Sequence, residues 1–273
     1  MDEHQANSFL DMLTEGKEIK GVNTSLALNL IPLATTLGRI ELIGQLLDIA
    51  VREAKTVTEQ SWSQFERLKH EGGTVDSFVE LALEQETNEE MAPFVAAVYH
   101  HVGLLHLAQN EIERAHSIAT RAFRFREQHG GVSGKQYGLQ LLCTTSKRMN
   151  DADGALGYAT RLLELAIEQN DDNLKVEAYA EIGHIQATIG SFEEAMQALQ
   201  HSLELANEID DIGGILVASW SLADIAEIHE EYEQAMILLS TCVQEYMSRQ
   251  RPAPPPLLER IEALTSLNNG SSQ

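Results

Sequence analysis

The sequence predicts an all-α chain: a right-handed α-solenoid of about six antiparallel helical hairpins, closed by a C-terminal capping helix. Three observations predict it. The first is composition. The 273 residues are 43% hydrophobic, and the chain up to residue 250 is rich in the strong helix formers Ala, Leu, Glu and Gln. Only 6 prolines occur, and 4 of them lie between Pro252 and Pro256. The second is the lack of alternating runs of Val, Ile, Thr and aromatic residues, the mark of strands. The third is repetition. "GSFEEAMQALQHSLELA" at 190–206 returns 40 residues later as "EEYEQAMILLSTCVQEY" at 230–246.

Taken in chain order, Gly38 in "LATTLGRIELIGQLLDIA" and Gly72 in "FERLKHEGGTVDSFVELAL" read as the turns of two hairpins. Asn110, Asn150, Gly190 and Glu230 read as the turns of the next four. Around these last four, small residues recur at fixed places. Ala115, Ala155, Ala195 and Ala235 follow the turn. Gly103, Cys143, Gly183 and Ala223 precede it. Ala122, Leu162, Ser202 and Cys242 come later, with Leu162 the one large residue. Where antiparallel helices approach closely, a small residue leaves room for the neighbouring backbone. Larger residues such as Val102, Leu142, Ile182 and Leu222 then fill the grooves. Both cysteines sit in small-residue slots and read as packed thiols. Asn110-x-x-Glu113 and Ser191-x-x-Glu194 read as N-cap boxes for the second helix of their hairpins. "EQNDDN" at 168–173 and "NEIDDIGG" at 207–214 read as short polar breaks between hairpins. "DADG" at 151–154 lacks the further acidic ligands of a calcium loop. "RPAPPP" at 251–256 breaks the chain, "LLERIEALTSL" caps the last apolar face, and "NNGSSQ" reads as a frayed tail. The organisation expected is therefore an N-terminal helix or extension over 1–23, a helical repeat domain over 24–250, and a Pro-rich break, cap and tail over 251–273.

The formal net charge is −23, which repels nucleic-acid backbones and anionic membranes. No nucleic-acid or membrane partner is expected, and no stretch reads as approaching the ~18 apolar residues of a membrane span. "RAHSIATRAFRFR" at 114–126 reads as a helix with a basic solvent face. The N-terminus has no signal-peptide pattern, so the expected location is cytoplasmic. His100, His101, His106 and His116 do not fall at the i, i+4 spacing that stacks two imidazoles on one helix face. No Gly-rich phosphate loop, nucleophile elbow or Cys–His motif occurs. No catalytic residue, metal or cofactor is expected.

The hairpin with Tyr179, Ile182-Gly183, Phe192, Ala195, Leu199 and Ser202 resembles the tetratricopeptide repeat family, with the extended 40-residue period found in kinesin light chains and bacterial peptide-sensing regulators. The likeness covers 90–250 clearly and 24–90 weakly. It departs from the family in lacking the helix-A tryptophan and the closing proline. The slots of the family's Lys and Asn carboxylate clamp hold residues such as His100, Gln140, Thr144 and His184, so binding to chaperone C-termini is not expected.

The resemblance implies that the first helix of each hairpin, helix A, lines a concave groove. Carried over slot by slot, that groove holds His100, Gln140, Thr144, Lys147, Arg148, His184, Trp220, Asp224 and Glu227. Such a mixed surface suits a peptide or helix of another protein. Lys147 and Arg148 would face an acidic end of the ligand, and Asp224 and Glu227 a basic end. The function implied is a non-catalytic adaptor or scaffold, with homo-oligomers compatible. The alternative is a peptide-responsive regulatory sensor, which residues 1–23 are too short to equip with an effector domain.

Overall fold

The computed structural model describes residues 10–12, 14, 22–129 and 132–271, and it divides into two compact units, 1–138 and 139–273. Every described element is a helix, and there is no strand among the described residues.

The first unit holds three hairpins. Thr24–Thr36 (α1) and Ile43–Glu53 (α2) turn at Gly38 and a short 3-10 segment, Ile40–Leu42. Val57–Glu71 (α3) and Val75–Leu83 (α4) turn at Gly72. Ala92–Ala108 (α5) and Ile112–His129 (α6) turn at Asn110. Leu10 is buried against Leu30, Ile31, Ala34 and Leu42, so the described N-terminal residues pack on the first hairpin. The core between α3, α4 and α5 is aromatic: Trp62, Phe65, Phe78 and Phe94 meet edge to face, with ring centroids 5.2–6.1 Å apart. Contrary to the sequence expectation, 89–108 is long and apolar enough to cross a membrane by length and composition. In this fold those residues form the 3-10 turn Glu89–Met91 and α5, whose Phe94, Val95, Val98, Tyr99 and Val102 are buried in the core.

Val132–Arg148 (α7) begins in the first unit and ends in the second. The second unit continues with Ala152–Gln169 (α8), Asp172–Thr188 (α9), Phe192–Glu208 (α10), Ile212–Ile228 (α11), Tyr232–Ser248 (α12) and Pro255–Ser271 (α13). The hairpins α7/α8, α9/α10 and α11/α12 turn at Asn150, Gly190 and Glu230.

All six expected turn residues have left-handed backbone: Gly38, Gly72, Asn110, Asn150, Gly190 and Glu230, with φ between 58° and 83°. Each closes its helix by a main-chain cap. At Gly190 the Ser191 amide donates to the Gln186 carbonyl at 2.9 Å and the Gly190 amide to the Ala187 carbonyl at 3.1 Å. This paired bonding satisfies the carbonyls a helix end would otherwise leave open. The junctions between hairpins use the same device, at Asn170, Asp210 and Gln250. They place the short breaks expected within 168–173 and 207–214 at 170–171 and 209–211. Gly213 and Gly214 lie inside α11, where a Cβ on Gly214 would stand 2.5 Å from Val176 Cγ1.

Three local expectations are corrected. Asn110 occupies the left-handed position and Glu111 stands at the N-cap of α6, where its carbonyl accepts from the Ala115 amide. Ser191 precedes α10 without a side-chain cap bond. The capping box that does form is Thr56 with Glu59, at the start of α3. The C-terminal helix is also longer than expected. Pro255 and Pro256 open it, because a first turn needs no amide donors, and it runs through Asn268 and Asn269.

The small slots are where helices meet. Ala115, Ala155, Ala195 and Ala235 are fully buried, as are Ala122 and Ser202. A Cβ on Gly183 would lie 2.5 Å from Leu199 Cγ and 3.2 Å from the Ala195 carbonyl. Ser202 Oγ donates to the Val176 carbonyl at 2.9 Å, and Cys242 Sγ lies 3.9 Å from the equivalent Leu216 carbonyl.

Ala195→Leu should therefore overpack α9 against α10 and cost about 1–3 kcal/mol, whereas Gln197→Leu on the exposed side of α10 should change stability by under about 0.5 kcal/mol. Urea unfolding of both variants checks this, and equal losses would show the register to be wrong. The turns supply a reciprocal pair. Gly190→Ala should cost about 1 kcal/mol, because φ is 83°, and Glu230→Gly should gain roughly 0.5 kcal/mol by relieving the same conformation. Melting temperatures moving in opposite directions are the expected result.

Candidate functional site

In the second unit the residues expected on the A-helix face do come together, as rungs from one A helix to the next. Gln140 Nε2 on α7 donates to Glu177 Oε1 on α9 at 2.8 Å. Lys147 Nζ donates to Glu181 Oε2 at 2.5 Å. His184 on α9 meets Ser221 Oγ on α11, Nε2 to Oγ 2.5 Å. Arg260 on α13 donates through Nη2 to Asp224 Oδ1 at 2.5 Å and through Nε to Glu227 Oε1 at 2.6 Å. Its guanidinium carbon lies 4.8 Å from the centre of the Trp220 ring. Helix α13 thus reaches α11 through Arg260, while its backbone packs on α12. Thr144 is half-buried on the same face of α7, and Arg148 is exposed at its end.

The face is acidic. Glu177, Glu181, Asp211, Asp224 and Glu227 lie along it against Lys147 and Arg260, and both of these cations are paired to carboxylates. Lys147 is therefore not an open anchor for an acidic ligand end. Between α9 and α11 the face opens into a cavity of about 400 Å³, lined by Val176, Glu177, Glu181, His184, Asp211 and Val217 among others. Burial raises the Glu177 carboxyl above its ordinary range, and Gln140 acts against that by hydrogen bonding to the charged form. Burial lowers the His184 imidazole, which is neutral at pH 7. Burial also pushes the Cys143 thiol up to about 12, with the Glu181 carboxylate adding to it. That thiol is packed rather than reactive.

His100 lies on α5, in the first unit, half-buried with its ring 6.2 Å from Tyr137. Its Nδ1 is buried without a hydrogen-bond partner. Burial first, then the charges of Arg126 and His101, lower its pKa to about 4. The basic run on α6, residues 114–126, is not a simple solvent face. Arg126 is only 7% exposed, and its side chain runs past Gly134 on α7. Arg121 stacks over the Tyr99 ring at 4.5 Å and pairs with Glu86. Of the other histidines, His106 Nδ1 pairs with Glu111 at 2.6 Å and His101 packs edge-on against Phe78.

Sequence reasoning missed Glu177, Glu181, Ser221 and Arg260. Their signal was present but offset, since rung partners such as Gln140 and Glu177 lie 37 residues apart, not 40. It also missed an apolar cavity of about 910 Å³ between α1 and α3, lined by Leu28, Ile31, Pro32 and Trp62 and rimmed by Glu66 and Lys69.

A tetratricopeptide repeat model matches residues 176–209, which are α9, its turn and α10. The chain carries a tetratricopeptide repeat. Solved structures are similar to the chain in fold. The apo form of RapI is similar over 91% of this chain and 72% of that one, with a TM-score of 0.74 at 13% identity. BtubC (BKLC) from P. vanneervenii is similar over 79% and 85%, with a TM-score of 0.60 at 13% identity. A Signal Transduction ATPase with Numerous Domains protein with a tetratricopeptide repeat sensor, from Pyrococcus horikoshii, is similar over 98% of this chain, with a TM-score of 0.62 at 15% identity. This chain spans 42% of that protein. At these identities the likeness is one of fold. No curated protein matches the sequence.

The state of His100 gives a pH prediction. Its ordinary value is 6.5 and its folded value about 4, so the unfolded chain binds the proton first as pH falls. Stability should be fully present above pH 6.5 and should fall by roughly 3 kcal/mol toward pH 4 from this group. Urea unfolding at pH 7.5 and 4.5 measures it. His100→Leu should remove most of that difference, and an undiminished loss in the variant would assign it elsewhere.

Proposed function

We propose that the chain is a non-catalytic interaction module that holds a basic peptide or helix of a partner protein on the A-helix face of α7, α9 and α11. The observation that carries this reading is the acidic cavity between α9 and α11, where Glu177, Glu181 and Asp211 border the apolar Val176 and Val217. Carboxylates at the solvent edge of a groove, Glu177 exposed and Glu181 and Asp211 half-buried, suit an amphipathic cation-bearing segment: the apolar residues supply area and the carboxylates supply direction. Val217 and Trp220 are exposed beside it and offer apolar contact. The reading refines the sequence expectation at one point. A ligand with its acidic end at Lys147 would have to break the Lys147–Glu181 pair, so the groove favours positive charge along its length.

The test is binding to an array of basic helical peptides, followed by fluorescence anisotropy on the best binder. Glu177→Gln with Glu181→Gln should weaken it at least about tenfold and steepen no salt dependence. Glu193→Gln with Glu194→Gln, exposed on α10, should stay within about twofold. If the α10 pair abolishes binding and the α9 pair does not, the partner sits on the B-helix face and the proposal fails.

A further inference from the structure

The A-helix face contains a cation already seated, and its geometry identifies a ligand chemistry. Trp220, Asp224 and Glu227 project from one face of α11. Together they hold Arg260: its guanidinium carbon lies over the indole, 4.8 Å from the ring centre, Asp224 accepts from Nη2 at 2.5 Å, and Glu227 accepts from Nε at 2.6 Å and lies 2.5 Å from Nη2. An aromatic face under a planar cation, with two carboxylates at its edge, selects guanidinium over ammonium. An ammonium has no plane to stack and no fork to share between two acids.

The receptor and its occupant differ in how they are held. All three receptor residues belong to α11, which is packed between hairpins and buries Ile215, Ala218, Leu222, Ala223, Ile225 and Ala226. Arg260 belongs to α13, the last helix, which is fastened by one stripe: Leu257 and Leu264 are buried, and Ile261 packs partly buried between them. Leu258 and Leu267 on its other side are exposed. The side chain of Arg260 is 19% exposed and Trp220 is 37% exposed, so the clamp opens to solvent at its edge.

We propose that Trp220, Asp224 and Glu227 form a guanidinium clamp for an arginine on a partner's basic helix, and that Arg260 fills this clamp in the free chain. The inference rests on the A-helix face being the binding face. It adds the anchor residue that the partner presents and the competitor it must displace. In the free chain, Arg260 also screens two of the carboxylates that would attract the partner. Binding is thereby coupled to release of the arginine from α13.

The experiment follows the indole signals of the two tryptophans by NMR, assigned with Trp62→Phe. The probes are N-acetyl-arginine methylamide and its lysine counterpart, added to the full chain and to Arg260→Ala. In Arg260→Ala the arginine amide should shift the Trp220 indole with a dissociation constant on the order of millimolar, and the lysine amide should bind at least about fivefold more weakly. The unaltered chain should respond at least about tenfold more weakly to the same arginine amide, because its own arginine competes. Equal response of both chains, equal response to lysine, or no response in Arg260→Ala would each overturn the clamp. The basic-peptide titration separates this from the groove itself. If Glu177→Gln with Glu181→Gln abolishes peptide binding while Arg260→Ala leaves it unchanged, the groove stands and the clamp is refuted. If Arg260→Ala alone strengthens peptide binding, the clamp stands on its own.

Discussion

The close approach of antiparallel helices, permitted only by residues with almost no side chain, is the constraint on which the rest of this structure depends. Ala155, Ala195 and Ala235 are fully buried at equivalent points, and Gly183 has no space for a single added carbon. Once two backbones are that close, their lengths and ends must match as well. The matching is done by a turn of fixed conformation, a left-handed residue followed by the N-cap of the next helix. Such turns at 150, 170, 190, 210 and 230 make the second unit a regular succession of helices, with the hairpin as a pair of such steps, and at Gln250 the left-handed residue is instead followed by the non-helical 251–254.

This regularity is what creates a shared A-helix face. When hairpins repeat, residues at corresponding positions of successive A helices stand beside one another. The chain uses this to bond across them, Gln140 to Glu177, Lys147 to Glu181, His184 to Ser221 and Arg260 to Asp224. Such exposed or half-exposed pairs contribute little to stability, typically under about 1 kcal/mol each. Their consequence is positional: long side chains that would otherwise sweep through solvent are held at defined points on the rim of the groove. The small slots build the scaffold, and the polar rungs set the surface it presents.

The fold was legible in the sequence because its determinants are local and repeat. A glycine or asparagine at the turn and an alanine at the crossing can be recognised without knowing what they touch. Glu230 could be placed as a turn only through its alignment with Gly190, since Glu carries no left-handed preference of its own. The site was legible in part. Trp220, Asp224, Glu227, Lys147 and His184 were found because each falls in a repeating slot. Their partners were not, because a rung joins residues about one turn out of phase with the repeat. The small-residue rule was also blind to Arg126. Residues 166 and 206, one and two periods later, are buried alanines, and nothing in a basic run announces that one of its arginines takes an alanine's slot.

Arg126 shows how the same packing rule yields different chemistry when one neighbour changes. A buried guanidinium without a carboxylate is costly, and its cost is distributed over the groups around it. Burial lowers the arginine's own pKa to about 10. The nearby imidazole of His100, buried and facing that positive charge, gives up its proton down to about pH 4. At the equivalent slots in the second unit there is a methyl group and no such effect, and Gln140, one period after His100, bonds to a carboxylate instead. A single substitution in the repeat thus separates a polar rung from an imidazole that stays neutral through the physiological range. The repeat sets where side chains meet; the residue in each slot decides whether the meeting is apolar, ionic or open to a partner.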